Sequence, residues 1–109
     1  MSHHPPPPDI STIFGEVLHH YRSTRDISQE ELAFEAGVDR TFISRLERGI
    51  RQPTITTLIG LSQALHVSAA DMVLEAEKRY LQQVQEAQSE VKEKPQSYTS
   101  RMKRRPQKR

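Results

Sequence analysis

Along this chain the apolar residues recur at steps of three and four, the period of a helix surface, and nowhere alternate as a half-buried strand would. Asp9 or Ser11 can cap a first helix reaching about Thr24, with Ile13, Phe14, Val17, Leu18 and Tyr21 on one face. Ser28-Gln29-Glu30-Glu31 has the form of a capping box, in which the serine accepts from the third residue's N–H and the glutamate reaches back. It opens a second helix with Leu32, Ala33 and Ala36 inward, and Gly37 is suited to the left-handed conformation that ends it. Asp39 caps a third helix from Arg40 to about Arg48, stopped by Gly49. Pro53-Thr54 starts a fourth, whose apolar residues are Ile55, Leu58, Ile59, Leu61, Ala64 and Leu65, and Ser68 to Asp71 caps a fifth. The pattern predicts an all-α, five-helix fold with no sheet.

The fifth helix is long. Its pattern continues from Ala69 to about Lys94, where Pro95 ends it, with Val73, Ala76, Tyr80, Val84, Ala87 and Val91 forming a stripe. Two alanines make that stripe thin, so an isolated two-stranded coiled coil would be weak. Three uses remain open: folding back on its own domain, a dimer arm, or a helix for a partner protein. The chain therefore divides into a Pro-rich disordered leader (1–8), a domain (9–76), an extension of the fifth helix (77–94) and a disordered basic tail (95–109).

Composition narrows this further. At 109 residues, 34% of them apolar and none tryptophan, the chain has room for one domain with a small core. Without cysteine it can hold no disulfide framework and no thiolate metal site. No window approaches the ~18 consecutive apolar residues of a membrane span, and the N-terminus has no apolar signal region, so a soluble cytoplasmic protein is expected. The net charge of +2 conceals an uneven distribution: the last nine residues, RMKRRPQKR, carry six of the 16 basic side chains and no acid. Residues 1–100 then hold ten basic against 14 acidic side chains, a formal −4. A basic functional surface has to be sought in local clusters.

One cluster stands out. Ala33 and Gly37 lie four apart on either side of a sharp bend; the small side chain lets the next helix cross closely, and the glycine turns the backbone without a Cβ clash. With Val38, Ile43 and Leu46 inward, Arg40, Thr41, Ser44, Arg45 and Arg48 face outward, and Glu47 is the sole acid between Arg40 and Arg51. This is the spacing of a helix-turn-helix. Arginine, threonine and serine on the exposed N-terminal half suit base edges in a major groove, while Arg48, Arg51 and Gln52 suit phosphates. On charge alone, a solvated basic face fits as well.

At these residues the chain resembles the Cro/C1-type helix-turn-helix regulators, the XRE family. The matching elements are Gly15, Leu18 and Tyr21-Arg22, then Ser28 to Ala33, Ala36-Gly37-Val38, Ile43-Ser44, Glu47, Arg48-Gly49, Pro53, Leu58, Ala64-Leu65 and Val67-Ser68. They span about residues 12–76. The resemblance implies a lambda-repressor-like domain whose third helix enters the major groove, usually as a two-fold homodimer on double-stranded DNA. By position, Arg40, Thr41 and Arg45 fall on base-reading sites with Ser44 close by. Gln29 falls where the backbone is contacted or a base-reading side chain is buttressed, and Arg48, Arg51 and Gln52 on phosphate contacts. Arg22 and Glu47 match a pair clamping the first helix to the end of the third; if that pair is buried, removing one partner costs ~3–5 kcal/mol. Asp26 departs from the pattern, standing where the family often has glycine.

The expected function is thus a sequence-specific transcription regulator, acting as a repressor by default and requiring no cofactor or metal. Activation is the alternative direction: Glu30 and Glu31 lie where acidic residues of some relatives contact RNA polymerase. A second class is an antitoxin or adaptor whose fifth helix holds a protein partner. An enzyme is not expected. His19 and His20 are adjacent and diverge on their helix, His3 and His4 make a poor metal site, His66 reads as a helix-end residue, and Ser44 has no evident base. Phe34 and Phe42 read as packing at the core edge. The basic tail is expected to add non-specific affinity for nucleic acid or acidic surfaces.

Overall fold

The structure, a computed structural model, describes residues 7–91, with side chains through Ser89. The start of the Pro-rich leader, the predicted end of the fifth helix at Pro95 and the basic tail lie outside the described residues. Five helices follow one another, with no strand among the described residues: α1 (Ile10–Thr24), α2 (Gln29–Ala36), α3 (Arg40–Glu47), α4 (Ile55–Leu65) and α5 (Ala69–Val91). The all-α reading holds, with the long fifth helix in place.

Side chains set most of the helix starts. Asp9 accepts from the Ser11 amide at α1, Ser28 and Glu31 form the reciprocal capping box at α2, and Thr54 accepts from Thr57 at α4. The Ser68 hydroxyl accepts from the Asp71 amide at α5. Asp39 occupies the cap position of α3 without making a side-chain cap bond, so there the extended backbone alone starts the helix.

The helix ends share one device. In each of α1 to α4 a residue just past the helix turns left-handed while two amides return to the last carbonyls. At α2, Val38 N–H bonds Ala33 O at 2.9 Å and Gly37 N–H bonds Phe34 O; at α3, Ile50 N–H bonds Arg45 O at 2.9 Å and Gly49 N–H bonds Leu46 O. Glycine makes these two turns easy, at φ +73 and +76. At α1 and α4 the turning residues are Asp26 and His66, both at φ +59. Aspartate thus does take the left-handed conformation where the family often has glycine. Arg25 adds to the second turn, donating to the carbonyls of Leu65 (2.7 Å) and His66 (3.1 Å) that α4 leaves open.

One core joins all five helices. Ile13, Val17, Leu18, Leu32, Ile43, Leu46, Leu61, Leu65 and Met72 are essentially fully enclosed. Helix α5 packs along α1, pairing Arg79 with Glu16 and bringing Glu75 near His20, so the two run antiparallel. Two sequence expectations need correction. On α5 Ala69, Met72, Ala76 and Tyr80 face the core, at steps of three and four, whereas Val73 is half exposed and lies off this row. On α2, Phe34 is 84% exposed rather than packed at the core edge; two positions from Leu32, it lies on the far side of the helix. Phe42 does pack against the core.

Candidate nucleic-acid interface

Helix α3 is eight residues long, roughly 12 Å, and both its ends are fixed to other elements. At its start, the Gly37–Val38 turn fastens it to α2. Ala33, at 3% exposure, provides the close crossing between the two helices. At its end, Gly15 of α1 lies against the backbone: a Cβ there would stand 2.5 Å from Leu46 O and 2.6 Å from Glu47 O. No side chain larger than hydrogen fits between α1 and the end of α3.

The same end carries an ionic clamp. Arg22 of α1 donates from Nε to Glu47 Oε2 (2.6 Å) and from Nη2 to Glu47 Oε1 (3.0 Å), a forked pair, while its Nη1 donates to Ile27 O (2.8 Å). Gln29 Nε2, from the first turn of α2, donates to Glu47 Oε1 at 3.0 Å, and His19 Nδ1 stands 3.3 Å from the same oxygen. The Glu47 and Arg22 side chains are only 7% and 14% exposed. Burial works against the Glu47 carboxylate, but hydrogen bonds from Arg22 and Gln29 outweigh it and hold its pKa below the usual range. The clamp therefore unites α1, α2 and α3 at one point. His19, 60% exposed, reaches this group from the surface, its place three before Arg22 putting both on one helix face.

With Glu47 folded inward, the outer face of α3 presents cations and hydroxyls. Arg40, Thr41 and Arg45 are exposed, and Ser44 is half-buried, its hydroxyl taken at 3.3 Å by Arg48 Nε one turn on. Arg48 and Arg51 are exposed in and after the last turn. Gln52 donates to Ser11 Oγ at 2.7 Å, so its amide braces the loop after α3 against the start of α1. Gln29 likewise spends its amide on Glu47. Of the eight residues assigned to base or backbone contact, the structure therefore leaves Arg40, Thr41, Arg45 and Arg51 with open side chains; Arg48 is exposed but bonded through Nε to Ser44, and Gln29 and Gln52 have partners on other elements.

A core of α1 to α5 in which α2 and a cation-bearing α3 meet through a glycine turn defines a helix-turn-helix domain. A helix-turn-helix family model matches residues 18–72, and the chain belongs to this family, the Cro/C1-type DNA-binding transcription regulators. Among its relatives, the control protein C.SmaI of Serratia marcescens is 40% identical over 65 residues, 60% of this chain and 77% of the relative. Among solved structures, the clp gene regulator ClgR of Corynebacterium glutamicum superposes with a TM-score of 0.70 at 31% identity, covering 79% of this chain and 93% of that one. A variant of C.Esp1396I bound to its highest affinity operator site superposes at 0.62 with 31% identity, over 68% of this chain and 97% of that one. Among the described residues no single helix is long and apolar enough to cross a membrane.

Proposed function

We propose that this chain is a cytoplasmic, homodimeric repressor that reads an inverted repeat in double-stranded DNA with the outer face of α3. The observation that carries the reading is the pairing of an immobilised helix with an acid-free outer face. Glu47, the one acid on α3, is turned into the clamp, and Arg40, Thr41 and Arg45 are left open on the first two turns. Arginine reaches guanine O6 and N7 in a fork, and threonine reaches base edges or the thymine methyl. Arg48 and Arg51 then meet phosphates on the flank and set register. Gln29 and Gln52 act indirectly, by fixing the end of α3 and the loop beyond it.

Dimerisation follows from the size of the reader. One helix of two turns touches only a few base pairs, and two copies related by a two-fold axis read half-sites about one DNA turn apart. The described surface supplies an apolar face for a second copy: Ile55 and Ile59, one turn apart on α4, are 72% and 45% exposed. No catalytic step enters this reading; bound protein represses by occupying the promoter.

Selection of bound duplexes from a random library at physiological salt tests it, with Arg45→Ala run in parallel. Enrichment of an inverted repeat that the variant relaxes supports the reading. Retention of duplexes without enrichment overturns sequence-specific regulation and leaves only electrostatic affinity.

A further inference from the structure

A second surface lies on the opposite side of α2. There α2 and the C-terminal end of α4 enclose an open groove of about 550 Å³, floored by Ile27 and Ala64 and flanked by Glu30, Glu31 and Glu35. Phe34 belongs to the same lining and is 84% exposed, the most exposed large apolar side chain among the described residues. Arg25, at one edge, is already committed to the carbonyls that end α4. Neither the core nor the α3 face uses this groove. Its chemistry calls for a ligand with several cations on apolar stems: the stems lie along the ring, the charges meet the carboxylates, and guanidinium groups stack on the aromatic face.

We propose that the groove is the docking site of the chain's own basic C-terminal segment, residues 101–109. Charge complementarity is the first argument. The segment carries Arg101, Lys103, Arg104, Arg105, Lys108 and Arg109 without an acid, opposite the carboxylates of Glu30, Glu35 and Glu31, the last with one oxygen already held by the Ser28 amide. Chain length is the second. The groove lies beside Ala64 and His66, at the α4–α5 corner, while Val91 stands at the far end of a 23-residue helix, about 33 Å away at ~1.5 Å per residue. Fifteen residues follow the expected helix end at Lys94; at ~3.3–3.6 Å per extended residue they reach up to ~50 Å, more than the ~38 Å of a helix from Ala69 to Lys94, so the basic run at the end of the chain spans the return. Residues 95–100, PQSYTS, are an uncharged spacer across the gap. Docking keeps six cations away from DNA phosphates, so the segment competes with non-specific binding until the groove releases it.

The full chain has no cysteine, so Gln107→Cys gives one site for a nitroxide label. Amide intensities are then read by NMR without DNA, which keeps the result independent of the DNA-binding reading. Docking predicts selective loss of intensity at Ile27 to Glu35 and Ala64 to His66. The loss is relieved by Phe34→Ala with Glu35→Gln, and by salt near 1 M, where the Debye length falls to ~3 Å. Both substituted residues are exposed, and an unchanged pattern of core amides confirms that the fold is kept. Intensity loss spread evenly over the surface, or loss that persists in the double variant, overturns the proposal. So does loss that appears only when label and isotope are on different copies, because the tail then docks between molecules rather than on its own domain.

Discussion

Arg22 and Glu47, 25 positions apart, form a forked ion pair with contacts of 2.6 and 3.0 Å at the meeting point of α1, α2 and α3. The pair matters to function through its position. Glu47 closes α3, and turning it inward removes the one negative charge from a helix otherwise fitted to meet phosphate and base edges. Gln29 joins the same carboxylate, so the entry to α2 and the exit of α3 are held by one group.

Breaking the clamp is therefore expected to cost stability first. Glu47→Ala leaves the largely enclosed Arg22 guanidinium without its counter-charge, with only the neutral acceptors Ile27 O and His19 Nδ1 near it, at a cost of up to ~3–5 kcal/mol. For a domain of this size that lowers the melting temperature by roughly 4–8 °C per kcal/mol. Calorimetry on the variant checks it; a change below about 1 kcal/mol would class the pair with exposed ion pairs.

The same group sets the acid limb of stability. Glu47 has a lower pKa folded than unfolded, so the unfolded chain binds the proton more readily. Its contribution is present in full above the ordinary glutamate pKa of ~4.3 and disappears as pH falls through the depressed folded value. Melting curves from pH 7 down to pH 3 should show a loss that begins near that ordinary value. Glu47→Gln should lower the neutral-pH end of the curve, converge with the parent chain at acid pH and so flatten this limb; an equally steep limb in the variant assigns it to other carboxylates.

Gly15 gives a second test of how α3 is held. Alanine is the better helix former by ~1 kcal/mol, so propensity alone predicts that Gly15→Ala stabilises α1. The added Cβ would instead meet two backbone carbonyls at 2.5 and 2.6 Å, and backbone cannot swing away as a side-chain tip can. Overpacking of this kind costs ~1–3 kcal/mol, so net destabilisation is expected in denaturant unfolding. A stabilised variant would show that α1 and α3 separate without penalty.

How far the sequence disclosed this arrangement varies by element. Caps and turns were legible because they are local: Ser28 with Glu31, Thr54 and Gly37 act within a few residues. The helix-turn-helix was legible for the same reason, since Ala33, Gly37, Ile43 and Leu46 fix its crossing by spacing alone. The row on α5 was not, although Leu32, Ala33 and Ala36 on α2 turn inward as expected. Met72 at a step of four and Val73 at a step of three both extend a row through Ala76, and only the angle at which α5 crosses α1 decides which is buried. Phe34 shows the reverse failure, an aromatic whose size suggested the core but whose place on α2 faces water. The engagement of Gln29, Gln52 and Ser44 inside the domain was hidden too, because each partner lies on another element or depends on a rotamer.

Ile55 and Ile59 test the dimer. Ile59→Glu adds a charge to a half-exposed position that the core does not need, so a monomer is expected to stay folded, with less than about 0.5 kcal/mol of change. Light scattering should show the mass fall from dimer to monomer, and operator affinity should drop with it. A variant that remains dimeric moves the interface elsewhere, with the open Val73 and Leu74 of α5 next in line.

The division of labour on α3 predicts two kinds of DNA-binding defect. Arg45 is exposed in the body of the helix; if it reads a guanine edge as proposed, Arg45→Ala should cost ~1–3 kcal/mol on the preferred site and much less on unrelated duplexes. Arg48 and Arg51 are exposed at and beyond the last turn, the positions that the proposed reading gives to phosphates. Removing either should weaken binding to all sequences alike and reduce the dependence of log K on log salt by about one unit. Fluorescence anisotropy on the selected operator and a scrambled duplex, over a range of salt, separates the two. The decisive comparison is the ratio of the two affinities: Arg45→Ala should compress it toward unity, and Arg48→Ala should leave it in place. Equal compression by both would mean that the end of α3 also reads bases and that the clamp beneath it positions a specificity contact.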